Sequence, residues 1–114
     1  MPKTLLLTQG DPNGLGPELI CRLLSNKTQR AEEALVIIGP ESALKYFAKQ
    51  LNIRPFWKNL SSANELKSLT QGIYCLSPPK LDNFRPEPGQ AVQEGGRAAG
   101  ISLTLACELI KSNL

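Results

Sequence analysis

Residues 8–22, TQGDPNGLGPELICR, decide the fold. Glycines and prolines around one aspartate separate an apolar run (Leu5, Leu6, Leu7) from a segment with helical apolar spacing (Leu19, Ile20, Leu23, Leu24). Glycine reaches backbone angles closed to other residues, and Gly and Pro together punctuate local structure. The stretch therefore predicts a tight turn from a strand over residues 3–8 into a helix opening at Pro17. Proline suits a first helical turn, where a missing N–H loses no partner. Glu18 places a carboxylate where the helix dipole favours it. Leu19, Ile20, Leu23 and Leu24 are expected to form the buried face, and Asn26 offers a left-handed stop.

Outward from this turn, the same alternation continues. Residues 34–39, ALVIIG, are uncharged and β-branched, and Gly39-Pro40 closes them, as in a central parallel strand. Glu41-Ser42 open a second helix over residues 43–51, with Leu44, Phe47, Ala48 and Leu51 on one face. Residues 53–57 read as a short strand, placed at an edge by Pro55. Residues 59–70 read as loop or short helix, and residues 72–76, GIYCL, as another strand. Four prolines between Ser77 and Gly89 predict an extended connection. Residues 91–112 follow a helical period, with Val92, Gly96, Ala99, Leu103, Ala106 and Ile110 on one face. Gly95, Gly96 and Gly100 each cost about 1 kcal/mol relative to alanine in a helix. A small-residue face is thus expected to let another backbone come close, in this chain or in a partner. Strand and helix in alternation predict an α/β fold, a mostly parallel sheet with flanking helices, as a single incomplete domain over residues 1–114 that stops where a following strand is expected.

Composition narrows the function classes. The chain has 114 residues, room for one small domain, with 41% hydrophobic and 20% charged residues, the balance of a folded chain. The net charge is +3, and basic residues are scattered among acids, so no nucleic-acid footprint is expected. No apolar run reaches membrane-spanning length and no signal peptide precedes Lys3, so no membrane partner and a cytoplasmic location are expected. The three cysteines are far apart without a CxxC pair, as for free thiols in a reducing compartment. The chain contains no histidine, which excludes a His-containing metal site, a Ser-His-Asp triad or a histidine base within it.

A glycine turn entering a helix presents backbone N–H groups to an anion. The spacing G-D-P-N-G-L-G-P nevertheless matches neither the dinucleotide fingerprint nor a P-loop. Asp11 either accepts hydrogen bonds from its own turn or contacts a ligand, and both readings stand. The residues alone support an α/β domain whose turn could contact an anion or nucleotide. A non-catalytic nucleotide- or phosphate-binding module is one such reading.

The segment TQGDPNGLGPELI resembles the opening of the 4-hydroxythreonine-4-phosphate dehydrogenase family of pyridoxal phosphate biosynthesis. Gly10, Asp11, Pro12, Gly14, Leu15, Gly16, Pro17 and Glu18 match its G-D-P-x-G-[IL]-G-P-E pattern, with Asn13 where alanine or serine is more usual. Pro88-Gly89-Gln90, Gly96 and Ala106 resemble a later helix of the family. The related isocitrate and isopropylmalate dehydrogenases carry a shorter G-D-G-I-G-P-E turn, so the resemblance implies a partial fold of that class. It implies a homodimeric, NAD-dependent and divalent-metal-dependent oxidation of a phosphorylated hydroxy amino acid, followed by decarboxylation. A sister group acts on phosphorylated sugar acids such as 4-phospho-threonate, which is the alternative substrate. The family's histidine metal ligands and its substrate contacts have no counterpart in residues 1–114. Catalytic and metal-binding residues are therefore expected to be absent here, and the chain, as the N-terminal part of a longer dehydrogenase, is expected to be inactive alone. By the same resemblance Asp11, Pro12, Asn13, Gly14 and Leu15 are the candidate NAD-binding residues.

Overall fold

The computed structural model describes residues 3–25, 33–87 and 93–112. Its elements run β1 (Lys3–Thr8), α1 (Leu15–Leu24), β2 (Glu33–Ile38), α2 (Glu41–Gln50), β3 (Lys58–Leu60), β4 (Gly72–Leu76) and α3 (Gln93–Lys111). Two 3-10 helices, Ala63–Ser68 and Pro79–Leu81, flank β4. The four strands form one parallel sheet in the order β1-β2-β4-β3. The expected α/β fold with a parallel sheet is what the chain adopts.

The alternation of side chains along β2 builds two cores. Ala34, Val36 and Ile38 face one side, where they meet Leu60, Leu66, Tyr74, Leu76 and the α3 residues Ala106 and Leu109. Ile37 faces the other side and packs with Ile20 and Cys21 of α1, Leu44, Phe47 and Ala48 of α2, and Cys75. Helices α1 and α2 thus cover one face and α3 the other. A strand buried on both faces needs the continuous apolar sequence that β2 has.

Four expectations need correction. The edge strand is Lys58–Leu60 and not residues 53–57. Ile53 and Trp57 instead pack into the α1–α2 core, and Trp57 Nε1 donates to Glu41 Oε2 at 2.8 Å. Helix α1 begins at Leu15, two residues before Pro17, with Gly14 as its cap. Pro17 still costs no bond, because first-turn N–H groups have no intrahelical acceptor. The inner stripe of α1 is Pro17, Ile20 and Cys21, while Leu19 and Leu23 are exposed. Helix α3 is rotated from the expected face: Gly95, Ala98, Ser102, Ala106 and Leu109 are buried, and Gly96, Leu103 and Ile110 are exposed. The expected stop at Asn26 and the Pro88-Gly89-Gln90 stretch lie outside the described residues.

Helix α2 ends in a Schellman arrangement. Ile53 N–H donates to Ala48 O at 2.8 Å and Asn52 N–H to Lys49 O at 3.1 Å, with Asn52 at φ 57°. Asparagine tolerates that left-handed position, and the bonds satisfy two carbonyls of the last turn.

Candidate functional site

Parallel register brings Thr8, Ile38, Leu76 and Leu60 into one row at the carboxyl end of the sheet. The turns that follow β1, β2 and β4 therefore gather on one edge, the usual ligand side of a parallel sheet. Gln9 joins two of them. Its backbone N–H donates to Ile38 O and its Nε2 to Pro40 O, both at 3.0 Å. Its side chain lies over Gly39, where a Cβ would come within 2.7 Å of Gln9 Cγ. Ser77 Oγ accepts the N–H of Glu41 at 2.8 Å, tying the end of β4 to the start of α2.

The glycine turn is held by its own hydrogen bonds. Asp11 Oδ1 accepts the N–H of Asn13 at 2.9 Å, and Asp11 O accepts the N–H of Gly14 at 2.9 Å. Gly10 sits at φ 73°, where a side chain is strained. Gly16 lies against the backbone carbonyl of Gln9, with no room for a Cβ. These contacts account for three conspicuous residues of the motif by turn geometry.

The five candidate NAD-binding residues divide by exposure. Asp11 is exposed, and Leu15 is 71% exposed at the first position of α1. Pro12 and Asn13 are buried, and Gly14 is half-buried. Asn13, 2% exposed, receives the Glu87 N–H on its Oδ1, while its Nδ2 is buried with no partner among the described residues. An orphaned buried amide donor is uncommon, since such groups are nearly always paired with protein or water.

Asn13 also lines a cavity of about 300 Å³ between the 78–87 segment and the start of α3, together with Lys80, Arg85, Glu87, Glu94 and Arg97. A neighbouring cavity of about 570 Å³ shares Lys80 and Arg97 and is bounded by Pro78, Pro79, Gly100, Ile101 and Leu105. A polar cleft of about 320 Å³ opens at the ends of β3 and β4, with Glu41, Lys45, Ser61 and Ser77 in its wall. Sequence reading did not single out Lys80, Arg85 or Arg97. Lys80 and Arg85 lie in the 78–87 segment and Arg97 in α3, apart in the sequence, so only the fold brings them together.

No cluster of three or more His, Cys, Asp or Glu side chains able to hold a metal exists among the described residues. No helix among them is long and apolar enough to cross a membrane.

No family model matches the chain. Individual proteins do. The chain is 35% identical over 82 residues to the 4-hydroxythreonine-4-phosphate dehydrogenase of Hydrogenobaculum sp., covering 72% of this chain and 25% of that one. It is 29% identical over 114 residues to the 4-hydroxythreonine-4-phosphate dehydrogenase of Aquifex aeolicus, covering all of this chain and 34% of the relative. A solved structure from Salmonella typhimurium, assigned to the same dehydrogenase, superposes with a TM-score of 0.72 at 26% identity over 98% of this chain and 35% of its own. The chain thus spans a quarter to about a third of the length of the relatives it matches.

Proposed function

On the premise that this chain belongs with the 4-hydroxythreonine-4-phosphate dehydrogenases, we propose that it supplies the glycine-turn portion of an oxidoreductase acting on a phosphorylated hydroxy amino acid. The observation that carries the reading is the Gly10–Glu18 motif set at the carboxyl edge of a parallel sheet, in a chain that matches these dehydrogenases along its length.

NAD, when bound, accepts the hydride. This chain's contribution is to position it. Leu15 offers an exposed apolar surface for a ring. Asp11 keeps one carboxylate oxygen without a partner among the described residues, available to accept from a sugar hydroxyl. Pro12, Asn13 and Gly14 hold the turn that presents both. A divalent metal does not fit this chain's own residues: it has no histidine, and no three-ligand cluster occurs among the described residues. In this reading the reaction chemistry and its metal are supplied by residues other than these 114 in a family-length homodimer, and the chain alone is expected to show no turnover.

Two measurements test this reading. Incubation with NAD, a divalent metal and 4-hydroxythreonine 4-phosphate or 4-phospho-threonate is expected to give no NADH absorbance. Turnover by the chain alone would refute the absence of catalytic residues. Titration with NAD is expected to raise the melting temperature, since a ligand of the native state stabilises it. Leu15→Glu, at an exposed position, should remove that rise. A rise identical in wild type and Leu15→Glu, or no rise at all, counts against a cofactor contact at the turn.

A further inference from the structure

We propose that the open edge of the sheet, along β1, pairs with the same edge of a second copy of this chain. Four observations converge. First, β1 ends the strand order and has no neighbour on its outer side among the described residues. Its residues 4–8 carry no charge and no proline, the devices that guard a free edge. The opposite edge, β3, has only three residues and starts on Lys58. Second, Leu6 is half-buried and Leu7 exposed, while their partners Val36 and Ile37 in β2 are fully buried. Third, the exposed leucines of α1 stand on the β1 side. Cys21 turns towards α2, with its Sγ 3.8 Å from Leu44 O, and α2 shares a core with Cys75 of β4. Leu19 and Leu23 are each two residues from Cys21, about 200° round the helix, and so project past β1. Fourth, the same holds on the other face. Ile101 and Leu105 of α3 face Pro78 and Pro79, which follow β4, and Leu103 is again two residues from each. Six of the seven large apolar side chains exposed among the described residues lie on β1, α1 and α3, the elements that border this edge, and Tyr46 of α2 is the seventh.

A second copy is the occupant that fits. An open strand edge needs another open edge, and β1 supplies one to itself. A twofold axis normal to the sheet sets β1 antiparallel to its partner and continues the four strands into eight. The same axis brings α1 against α1 on one face and α3 against α3 on the other, so each apolar stripe meets itself. Helix α3 lies over both β1 and β2. Two such helices stand about 10 Å apart across the axis, the spacing of packed helices. Gly96, seven residues before Leu103 on the same stripe, leaves open space for that approach. Glu94, Arg97 and Glu108 line cavities on the far side of α3, and Glu18 and Arg22 of α1 pair with each other at 3.0 Å. The flank thus presents no charge that calls for a partner of opposite sign. The six residues of β1 run about 20 Å, and a helix, the sheet and a helix stack to about 30 Å. The resulting face of roughly 600 Å² is near the ~800 Å² that each partner gives to a standard interface. The short β3 edge, opened by a lysine, stops the assembly at two copies.

This association belongs to the 114-residue chain through its own edge and does not need the dehydrogenase reading. Sedimentation equilibrium over a wide concentration range tests it, and the chain should pass from monomer to dimer with no larger species. Leu19→Lys/Leu23→Lys and Leu103→Lys/Ile110→Lys should each weaken the dimer at least tenfold. At concentrations where the wild type is monomeric, both variants should melt as it does, because all four side chains are exposed. Tyr46→Lys, on α2, should leave the dimer intact. Backbone N–H groups of alternate residues in β1 face the open edge, and their hydrogen exchange should slow on dimerisation. A chain that is monomeric at every concentration overturns the proposal and leaves the flank to residues that a family-length protein adds. Equal weakening by Tyr46→Lys also overturns it, as general apolar association. So does a dimer whose β1 exchange is unchanged, or growth beyond two copies.

Discussion

Gly95 lies directly against Asp11: a Cβ at residue 95 would overlap the Asp11 carboxylate Oδ1 and approach Asn13 Nδ2 to 2.9 Å. The first turn of α3 therefore rests on the glycine turn that follows β1, although some eighty residues of chain separate them. Asp11 Oδ1 is the same atom that accepts the Asn13 N–H, and Asn13 Oδ1 in turn accepts the Glu87 N–H. One glycine thus lets a helix, a turn and a loop share a small volume.

That contact separates the helical glycines by experiment. Gly95→Ala must push the Asp11 carboxylate off its hydrogen bond or shift α3, and is expected to cost about 1–3 kcal/mol. A Cβ at Gly96 or Gly100 meets nothing, and alanine there should add about 0.5–1 kcal/mol of stability through better helix propensity. Urea midpoints of the three variants check the order. Equal effects at 95 and 96 would mean that α3 does not pack on the turn.

Gly16→Ala is expected to be more damaging than Gly95→Ala. The added Cβ meets the backbone carbonyl of Gln9, which cannot rotate aside as a side chain can. Gln9 is also held on both sides, by Ile38 O and Pro40 O. A loss of about 3 kcal/mol follows from displacing that junction. Chemical denaturation measures it, and a loss under about 1 kcal/mol would show that the strand-to-helix turn yields freely.

The same junction shows what a sequence can and cannot disclose. β2 was legible because a strand covered on both faces is apolar throughout. The glycine turn was legible because its backbone needs residues without side chains. β3 was not: only Leu60 of its three residues is buried, so Lys58-Asn59 carry no strand pattern, while Trp57 and Ile53 look like strand but serve a helix-facing core. The face of α3 was misread because two stripes at helical spacing compete. Leu103 and Ile110 are the larger side chains, yet the inner stripe uses small residues so that the helix lies close to β1 and β2. The basic cleft has no local signal at all, since each of its cations looks like ordinary surface charge.

The rotation of α3 is directly testable. Ala98 and Ala106 are inside, whereas Leu103 and Ile110 are 57% and 64% exposed. Ala98→Leu should cost about 1–3 kcal/mol by overpacking. Leu103→Lys and Ile110→Lys should change stability by no more than about 0.5 kcal/mol. Thermal or urea unfolding of the three proteins decides between the two faces. A helix with Leu103 inward would reverse the order.

Alkaline pH should destabilise the fold through its buried thiols. Burial first, and the charge of Glu41 second, push the Cys75 thiol from 9.0 to about 12, against a small opposing contribution from Ser77. Burial, then Glu18, pushes Cys21 from 9.0 to about 11. Unfolding exposes both groups, which then lose their protons near the ordinary value. Above that value the native state binds more protons than the unfolded one, so stability falls as pH rises. The contribution is complete below about pH 9 and is lost progressively between about 9 and 11 to 12. Urea midpoints measured from pH 8 to 11 should therefore decline more steeply in the wild type than in Cys21→Ala/Cys75→Ala, whatever constant packing loss the double variant carries. At pH 8 a thiol reagent should label exposed Cys107 quickly and leave Cys21 and Cys75 unmodified until denaturant is added. Parallel pH profiles for the two proteins, or rapid labelling of all three thiols in the folded chain, would place the cysteines outside the cores assigned to them.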